Sequence, residues 1–292
     1  MTYFDLYDQG RIKLFKLKDG ENDARLLLLW AFDIDMGELL LNYTAKQVDA
    51  DEAGRAKTEK YVTAIEQRLS GIPLQHITHT SNFYGLNLYV DENVLVPRFD
   101  TEVLVEKILA DEEAVNEANV TGMQRTERTA LDLCTGSGCI AIALAKYGRF
   151  LRVDGSDISR AALEIADANA SANGVDITFY ESDMFSQLDG LKYDVIASNP
   201  PYIKTAVIEK LMPEVRDHDP RQALDGDTDG LKFYRIIAKE APKHLNKGGR
   251  LYLEIGYDQA EEVSGLLKEN GFKNIEIIKD LSQLDRVLCS TI

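Results

Sequence analysis

From about residue 97 to the end, short apolar runs alternate with helical patterns, and this alternation limits the fold more than any other feature of the chain. The runs lie at 130–134, 151–156, 175–180, 193–198, 250–255, 272–278 and 286–292, and helical patterns at 140–147, 159–172, 231–244 and 258–269 fill most of the gaps. Strand–helix–strand units of this kind build a parallel sheet covered on both faces. The predicted class is α/β: a Rossmann-like, doubly wound sheet of seven strands. Only a short polar stretch near 280–285 separates the last two runs. It cannot hold a crossover helix, so these two should pair antiparallel, leaving the last strand antiparallel in the sheet. A helix is expected from Thr101 to about Ala114, then a polar loop near 116–127.

Residues 1 to about 70 read as helical. Asn22 or Asp23 would cap a helix whose buried face begins with Leu26, Leu29, Trp30 and Phe32. A second helix spans about 51–69, burying Tyr61, Val62, Ile65 and Leu69, and Gly71 and Pro73 stop it. The stretch 82–90, a turn at 91–93 and Val94–Val96 read as a β-hairpin. The organisation expected is therefore an N-terminal helical domain at 1–75 that recognises substrate, a β-hairpin linker at 76–96, and an α/β domain at 97–292.

The longest apolar run, Leu26–Phe32, has seven residues, and the N-terminus shows no basic start followed by an apolar stretch. Neither a membrane span nor a secretory signal is expected, and the reading is cytoplasmic. Three cysteines without a Cys-x-x-Cys pair, and four histidines without ligand spacing, point to reduced, buried thiols and no metal site. Net charge is −16, with 10 basic against 15 acidic residues over 1–96 and 23 against 34 over 97–292. Duplex nucleic acid as direct partner would need a basic stripe that neither part shows. A basic protein partner and a simple solubility role for the acidic surface stay open together.

Four elements carry chemistry. The first, Leu131-Asp-Leu-Cys134-Thr135-Gly136-Ser137-Gly138, is a strand entering a glycine-rich turn and a helix. Such a turn points backbone N–H groups and a helix N-terminus at a ligand beside the sheet's carboxyl edge; a tight turn without ligand is the bland alternative. The second is Asp157, about twenty residues on at the end of the next strand, where a carboxylate meets ribose hydroxyls of an adenosine cofactor. A helix cap is the competing reading, and Asp154 the competing residue. The third is Asp183-Met184 after the third strand: either an adenine contact, polar then apolar, or a helix cap beside a core residue. The fourth decides the matter. Asn199-Pro200-Pro201-Tyr202 follows a strand directly. Two prolines remove two N–H donors, so the turn offers only acceptors. An NH₂ group can donate one hydrogen to the Asn199 side-chain oxygen and the other to the Pro200 carbonyl, with the Tyr202 ring bounding the flat group.

In this combination the chain resembles the class I methyltransferases with an Asn-Pro-Pro-Tyr loop. More narrowly, it resembles the bacterial protein-(glutamine-N5) methyltransferases of peptide-chain release factors. The narrower likeness rests on Gly71–Gln75, Phe83–Leu86, Val94–Glu102, Asp219–Leu224, Asp229–Leu231 and Leu253–Gly256, and it covers about residues 24–292. It implies S-adenosyl-L-methionine as methyl donor, lined by Cys134 to Gly138, Asp157, Asp183 and Met184. Asn199 would touch both donor and substrate, and Pro200, Pro201 and Tyr202 would hold a glutamine of a release factor, the protein partner, for an enzyme expected to act as a monomer. The family usually has Gly where this chain has Cys134, Pro at Phe99, Trp at or near Met184 and Tyr at His76. Adenine-N6 methylation of DNA or RNA uses the same loop and is the alternative reading; a non-catalytic, ribosome-associated adenosine-binding module is the other.

Overall fold

A computed structural model describes residues 1–45, 47–120 and 127–292 of the chain. They divide into two compact units, Met1–His79 with Met212–His218, and Thr80–Leu211 with Asp219–Ile292. The expected linker at 76–96 is thus shared: its first residues lie in the first unit and Thr80 onward in the second. Among the described residues no helix is long and apolar enough to cross a membrane.

The first unit holds α1 (Tyr3–Lys13), α2 (Gly20–Phe32), α3 (Met36–Asn42), α4 (Glu52–Leu69) and α5 (Leu74–Thr78). Thr2 and Asp5 form a reciprocal capping box on α1, and the Asp51 carboxylate accepts the Gly54 N–H to start α4. The expected cap at Asn22 or Asp23 is corrected. The N-cap of α2 is Asp19, and Asp23 is buried in the helix, where its carboxylate accepts from Arg68 at 2.7 Å. Arg68 also donates to Glu214 at 2.7 Å. The pair sits on the buried faces of both helices, which keep Phe32, Tyr61 and Ile65 of the expected residues and differ at the others. On α2 the buried positions are Ala24, Leu27, Leu28, Ala31 and Phe32, while Leu26 is exposed. On α4 they are Tyr61, Ala64, Ile65 and Arg68, with Val62 and Leu69 exposed. An unbroken leucine run fits either phase; the buried ion pair selects one.

The second unit opens with β1 (Ser81–Phe83) and β2 (Leu86–Leu88), paired antiparallel. The hairpin closes within the run expected to be one strand. Tyr84 and Gly85 both take positive φ, 50° and 76°, as a type I′ turn requires. Val94–Val96 forms no strand; Val90 and Val94 pack instead on Ala162 and Ile165. After α6 (Phe99–Val120) come β3 (Thr129–Leu133), α7 (Cys139–Tyr147), β4 (Arg152–Asp157), α8 (Arg160–Asn173), β5 (Thr178–Glu181) and β6 (Tyr193–Ser198). Short helices α9 (Thr205–Ile208), α10 (Pro213–Arg216, part of the first unit) and α11 (Arg221–Leu224) follow. The chain ends with α12 (Lys232–His244), β7 (Leu245–Glu254), α13 (Ala260–Glu269), β8 (Lys273–Lys279) and β9 (Asp285–Thr291). Of the loop expected at 116–127, residues to Val120 are helical and 121–126 lie outside the described residues.

The large sheet has the order β5-β4-β3-β6-β7-β9-β8, with β9 antiparallel to both neighbours and the remaining pairs parallel. Alternate residues feed two cores, as strands covered on both faces demand. Ala130, Val195, Ala197 and Tyr252 face one core with Leu104, Ile108, Ile140 and Leu144 of α6 and α7. Leu131, Leu133, Ile196, Leu251 and Leu253 face the other with Tyr234, Ile237, Val263 and Leu267 of α12 and α13. Order reverses at β3, flanked by β4 on one side and β6 on the other. Crevices beside such a reversal, at the carboxyl edge, are where α/β sheets bind ligands.

Burial raises the Asp23 carboxyl above its ordinary range, with the Arg68 guanidinium opposing that shift. Arg68→Met removes the opposition and is expected to destabilise the first unit by about 3–5 kcal/mol near neutral pH. The loss should shrink as pH falls towards the ordinary carboxylate pKa of about 3.9, because protonated Asp23 no longer carries a buried charge. Denaturant unfolding at two pH values checks this; an equal loss at both would show that the charge is not the cause.

Candidate active site

A cavity of about 330 Å³ opens at that reversal, within the size range of small-molecule sites. Its walls come from the turn after β3, the ends of β4 and β5, the loop after β6, the segment from Asn93 to Thr101, and residues of α11 and α12. Of the residues singled out in the sequence, Cys134, Thr135, Gly136, Ser137, Asp157, Asp183, Met184, Asn199 and Pro201 line it. Gly138, Pro200 and Tyr202 do not.

Gly136 and Gly138 both take positive φ, 54° and 83°, for different reasons. Nothing stands within 4 Å of where a Cβ on Gly136 would point, so its missing side chain leaves space on the cavity wall. A Cβ on Gly138 would meet Ala166 and Ile142 at 3.1 Å, so that glycine serves the packing of α7 on α8. The turn is braced from behind by Asp132, which sequence reasoning passed over. Its Oδ2 accepts from the Thr135 hydroxyl at 2.5 Å and from the Ala141 N–H at 3.0 Å, tying β3 to the turn and to α7. Burial pushes the Asp132 carboxyl up to about 7, against those two donors. The visible signal was a carboxylate between two leucines of a buried strand.

Asp157, at the end of β4, accepts from the Gly136 N–H at 2.9 Å with Oδ2 and from the Ser159 N–H at 2.9 Å with Oδ1. The N-cap of α8 is Ser159, so Asp157 is not that helix's cap. Asp154, the competitor, is buried in mid-strand and accepts from the Tyr193 hydroxyl at 2.8 Å, away from the cavity. Burial raises the Asp157 carboxyl above its usual range, against backbone N–H groups of Ser159, Gly136 and Ile158. After β5, Ser182 closes the next turn: its Oγ donates to the Met184 carbonyl at 2.8 Å and accepts the Gln187 N–H at 3.0 Å. Asp183 is left exposed on the cavity wall, with Met184 buried beside it. Met184 Sδ lies 3.9 Å from Cys134 Sγ, and both residues take positive φ. At Cys134 that conformation is one glycine adopts without strain.

Beyond β6, Asn199 Nδ2 donates to Thr101 Oγ1 at 3.3 Å, and the Thr101 hydroxyl donates to Glu254 Oε2 at 2.6 Å. The Tyr202 hydroxyl donates to the other carboxylate oxygen of Glu254 at 3.2 Å. Gln259 Nε2 donates to the carbonyls of Tyr202 and Gly230, at 3.1 and 3.2 Å, pinning the loop to the segment before α12. Thr101, Glu254 and Gln259 were not singled out from sequence, although the first two lie in stretches that carry the family likeness.

Residues 5–78 match the family model described as PrmC N-terminal domain, and residues 115–215 match Methyltransferase small domain. The release factor glutamine methyltransferase of Geobacter sulfurreducens is 40% identical over 273 residues, 92% of this chain and 90% of its own length. The chain belongs to the release factor glutamine methyltransferase family. The enzyme of that name from Agrobacterium fabrum is 39% identical over 281 residues, 95% of this chain and 92% of its own. For the fold alone, a crystal structure of a methyltransferase from Pyrococcus furiosus aligns with a TM-score of 0.50 at 19% identity, covering 71% of this chain and 89% of that one. This family member is a methyltransferase, and its methyl donor is S-adenosylmethionine.

The cavity fits that donor: a glycine cradle open where a Cβ would stand, a carboxylate at the end of β4, and a mixed polar and apolar wall at the end of β5. Gly136→Ala fills the cradle and is expected to weaken S-adenosylmethionine binding about tenfold or more, at a stability cost of only ~1 kcal/mol. Gly138→Ala should reverse the balance, losing stability through its 3.1 Å contacts. Calorimetry with thermal unfolding checks both, and unchanged affinity in Gly136→Ala would exclude the cradle.

Proposed function

We propose that the chain methylates the side-chain amide nitrogen (N5) of a glutamine in peptide-chain release factors, leaving S-adenosylhomocysteine and modulating translation termination. Membership of the family, whose relatives carry that activity in their names, supports the substrate class. The observation that carries the chemistry is the Asn199 side chain. Its Nδ2 is turned to Thr101, so Oδ1 is the atom left to accept from an incoming NH₂.

S-adenosylmethionine supplies an electrophilic methyl on a sulfonium sulfur. The chain's own residues bind and orient. Asp157 accepts from the ribose hydroxyls, Asp183 and Met184 hold the adenine edge and face, and the 134–138 turn lies along the donor's amino-acid part. Asn199 Oδ1 and the Pro200 carbonyl each accept one hydrogen of the glutamine NH₂, and Pro201 and Tyr202 shape the loop around it. An amide nitrogen is a weak nucleophile, so its placement and the exclusion of water must supply most of the acceleration. The new N–C bond forms as the methyl–sulfur bond breaks, its electron pair staying on sulfur, and the nitrogen's surplus proton then leaves to solvent, so no basic side chain is required ahead of attack. The first unit supplies the wider grip on the protein substrate, since a glutamine side chain is too small to specify one. The enzyme works in this reading as a cytoplasmic monomer without duplex nucleic acid.

Labelled donor offered with release factor or with duplex DNA tests the substrate class. Label is expected in the release factor only, and label in DNA adenine would establish the nucleic-acid reading instead. Asn199→Ala should lower turnover on release factor about a hundredfold, equivalent to ~2.7 kcal/mol, with little change in donor affinity. Parental turnover in that folded variant would overturn the positioning role.

A further inference from the structure

We propose that Thr101 and Glu254 are positioning residues that fix which end of the Asn199 amide faces the substrate; this rests on the role of Asn199 proposed above. An amide side chain is nearly symmetric in shape, and a flip would present two donors to a substrate NH₂ that itself only donates. Something must therefore hold the amide in one sense, and the chain of bonds behind it does so.

The order of donors follows from proton count. Glu254 is buried, at 2% exposed, and both its oxygens accept: Oε2 from Thr101 and Oε1 from Tyr202. Burial raises the Glu254 carboxyl, while the Thr101 hydroxyl, Arg286 and the Tyr202 hydroxyl favour the carboxylate, which has no proton to give. Thr101 owns one hydroxyl proton, and the 2.6 Å bond commits it to Glu254. Towards Asn199, Thr101 can then only accept, and only Nδ2 can donate. Oδ1 is left for the cavity. The same carboxylate holds the Tyr202 hydroxyl, so one buried charge sets both the first and the last residue of the Asn-Pro-Pro-Tyr loop. Arg286 acts on Glu254 only through space: its guanidinium bonds the Ile255 carbonyl at 3.3 Å and pairs with Asp280 at 3.1 Å and Asp100 at 3.5 Å.

A purely structural role for Thr101 makes different forecasts from an orienting one. Thr101→Val keeps the volume and loses the hydroxyl; Thr101→Ser keeps the hydroxyl and loses a methyl. Under the relay, Val should lower kcat roughly tenfold or more with KM for release factor and donor affinity near parental, while Ser stays within about threefold of the parent. If only packing matters, Ser is the worse of the two. Asn199→Asp tests the relay independently of how well the Thr101 variants fold. A carboxylate there has no N–H for a hydroxyl already spent on Glu254, so it should be as damaging as Asn199→Ala, although it keeps an acceptor. Kinetics of these four variants on release factor decide the matter. Parental turnover in Asn199→Ala sinks the Asn199 role itself. Loss in Asn199→Ala with parental kcat in Thr101→Val, or with Asn199→Asp close to the parent, overturns the relay alone.

Discussion

The Ser198 hydroxyl donates to the Leu133 carbonyl at 2.6 Å, joining the last residues of β3 and β6 where the sheet reverses its order. The centre of the cavity wall follows from those two strands ending side by side. The residue after Leu133 begins the glycine turn, and the residue after Ser198 is Asn199. Parallel register therefore brings together the glycine turn and the Asn-Pro-Pro-Tyr loop, which lie about sixty residues apart in sequence. The third contributor, Thr101, comes from the first turn of α6, and the fourth, Glu254, from the last residue of β7 beside β6.

Three carboxylates do different work around this edge, Asp132 and Glu254 buried and Asp157 half-buried on the cavity wall. Asp132 braces the glycine turn, Asp157 holds the same turn from β4, and Glu254 anchors the Asn-Pro-Pro-Tyr loop. Burial raises all three above the ordinary carboxylate range, each opposed by the hydroxyl or N–H groups that bond it. Unbonded, a charge buried as Asp132 and Glu254 are would be strongly unfavourable. Each is placed where its acceptors order a loop, so that loops lining the cavity are held in place before any ligand arrives.

The seven strands were legible because their apolar runs are short, separated and bounded by polar segments. The antiparallel end was legible from a connection too short for a helix. The glycine turn, Asp157 and Asn199 were legible because their chemistry is written locally, in consecutive residues after a strand. What was not legible depends on distant partners. The α2 phase is set by Arg68, 45 residues from Asp23, and an unbroken leucine run says nothing about which side is buried. The hairpin closes at Tyr84-Gly85 because a two-residue turn with positive φ fits there, while Val94 is drawn to α8 instead. Thr101 and Glu254 meet across 153 positions, and neither residue type announces a site alone. The Tyr202 ring was expected to bound the substrate; its hydroxyl bonds Glu254, and the residue does not line the cavity.

A neutron crystal structure of the enzyme with S-adenosylhomocysteine and a glutamine-bearing release-factor peptide would locate the amide hydrogens and so show which end of Asn199 meets the substrate. The glutamine nitrogen is expected about 2.9 Å from Asn199 Oδ1, a normal N–H···O length, with Nδ2 still on Thr101. A glutamine bound away from Asn199, or an amide with Nδ2 turned to the substrate and Oδ1 to Thr101, would contradict it.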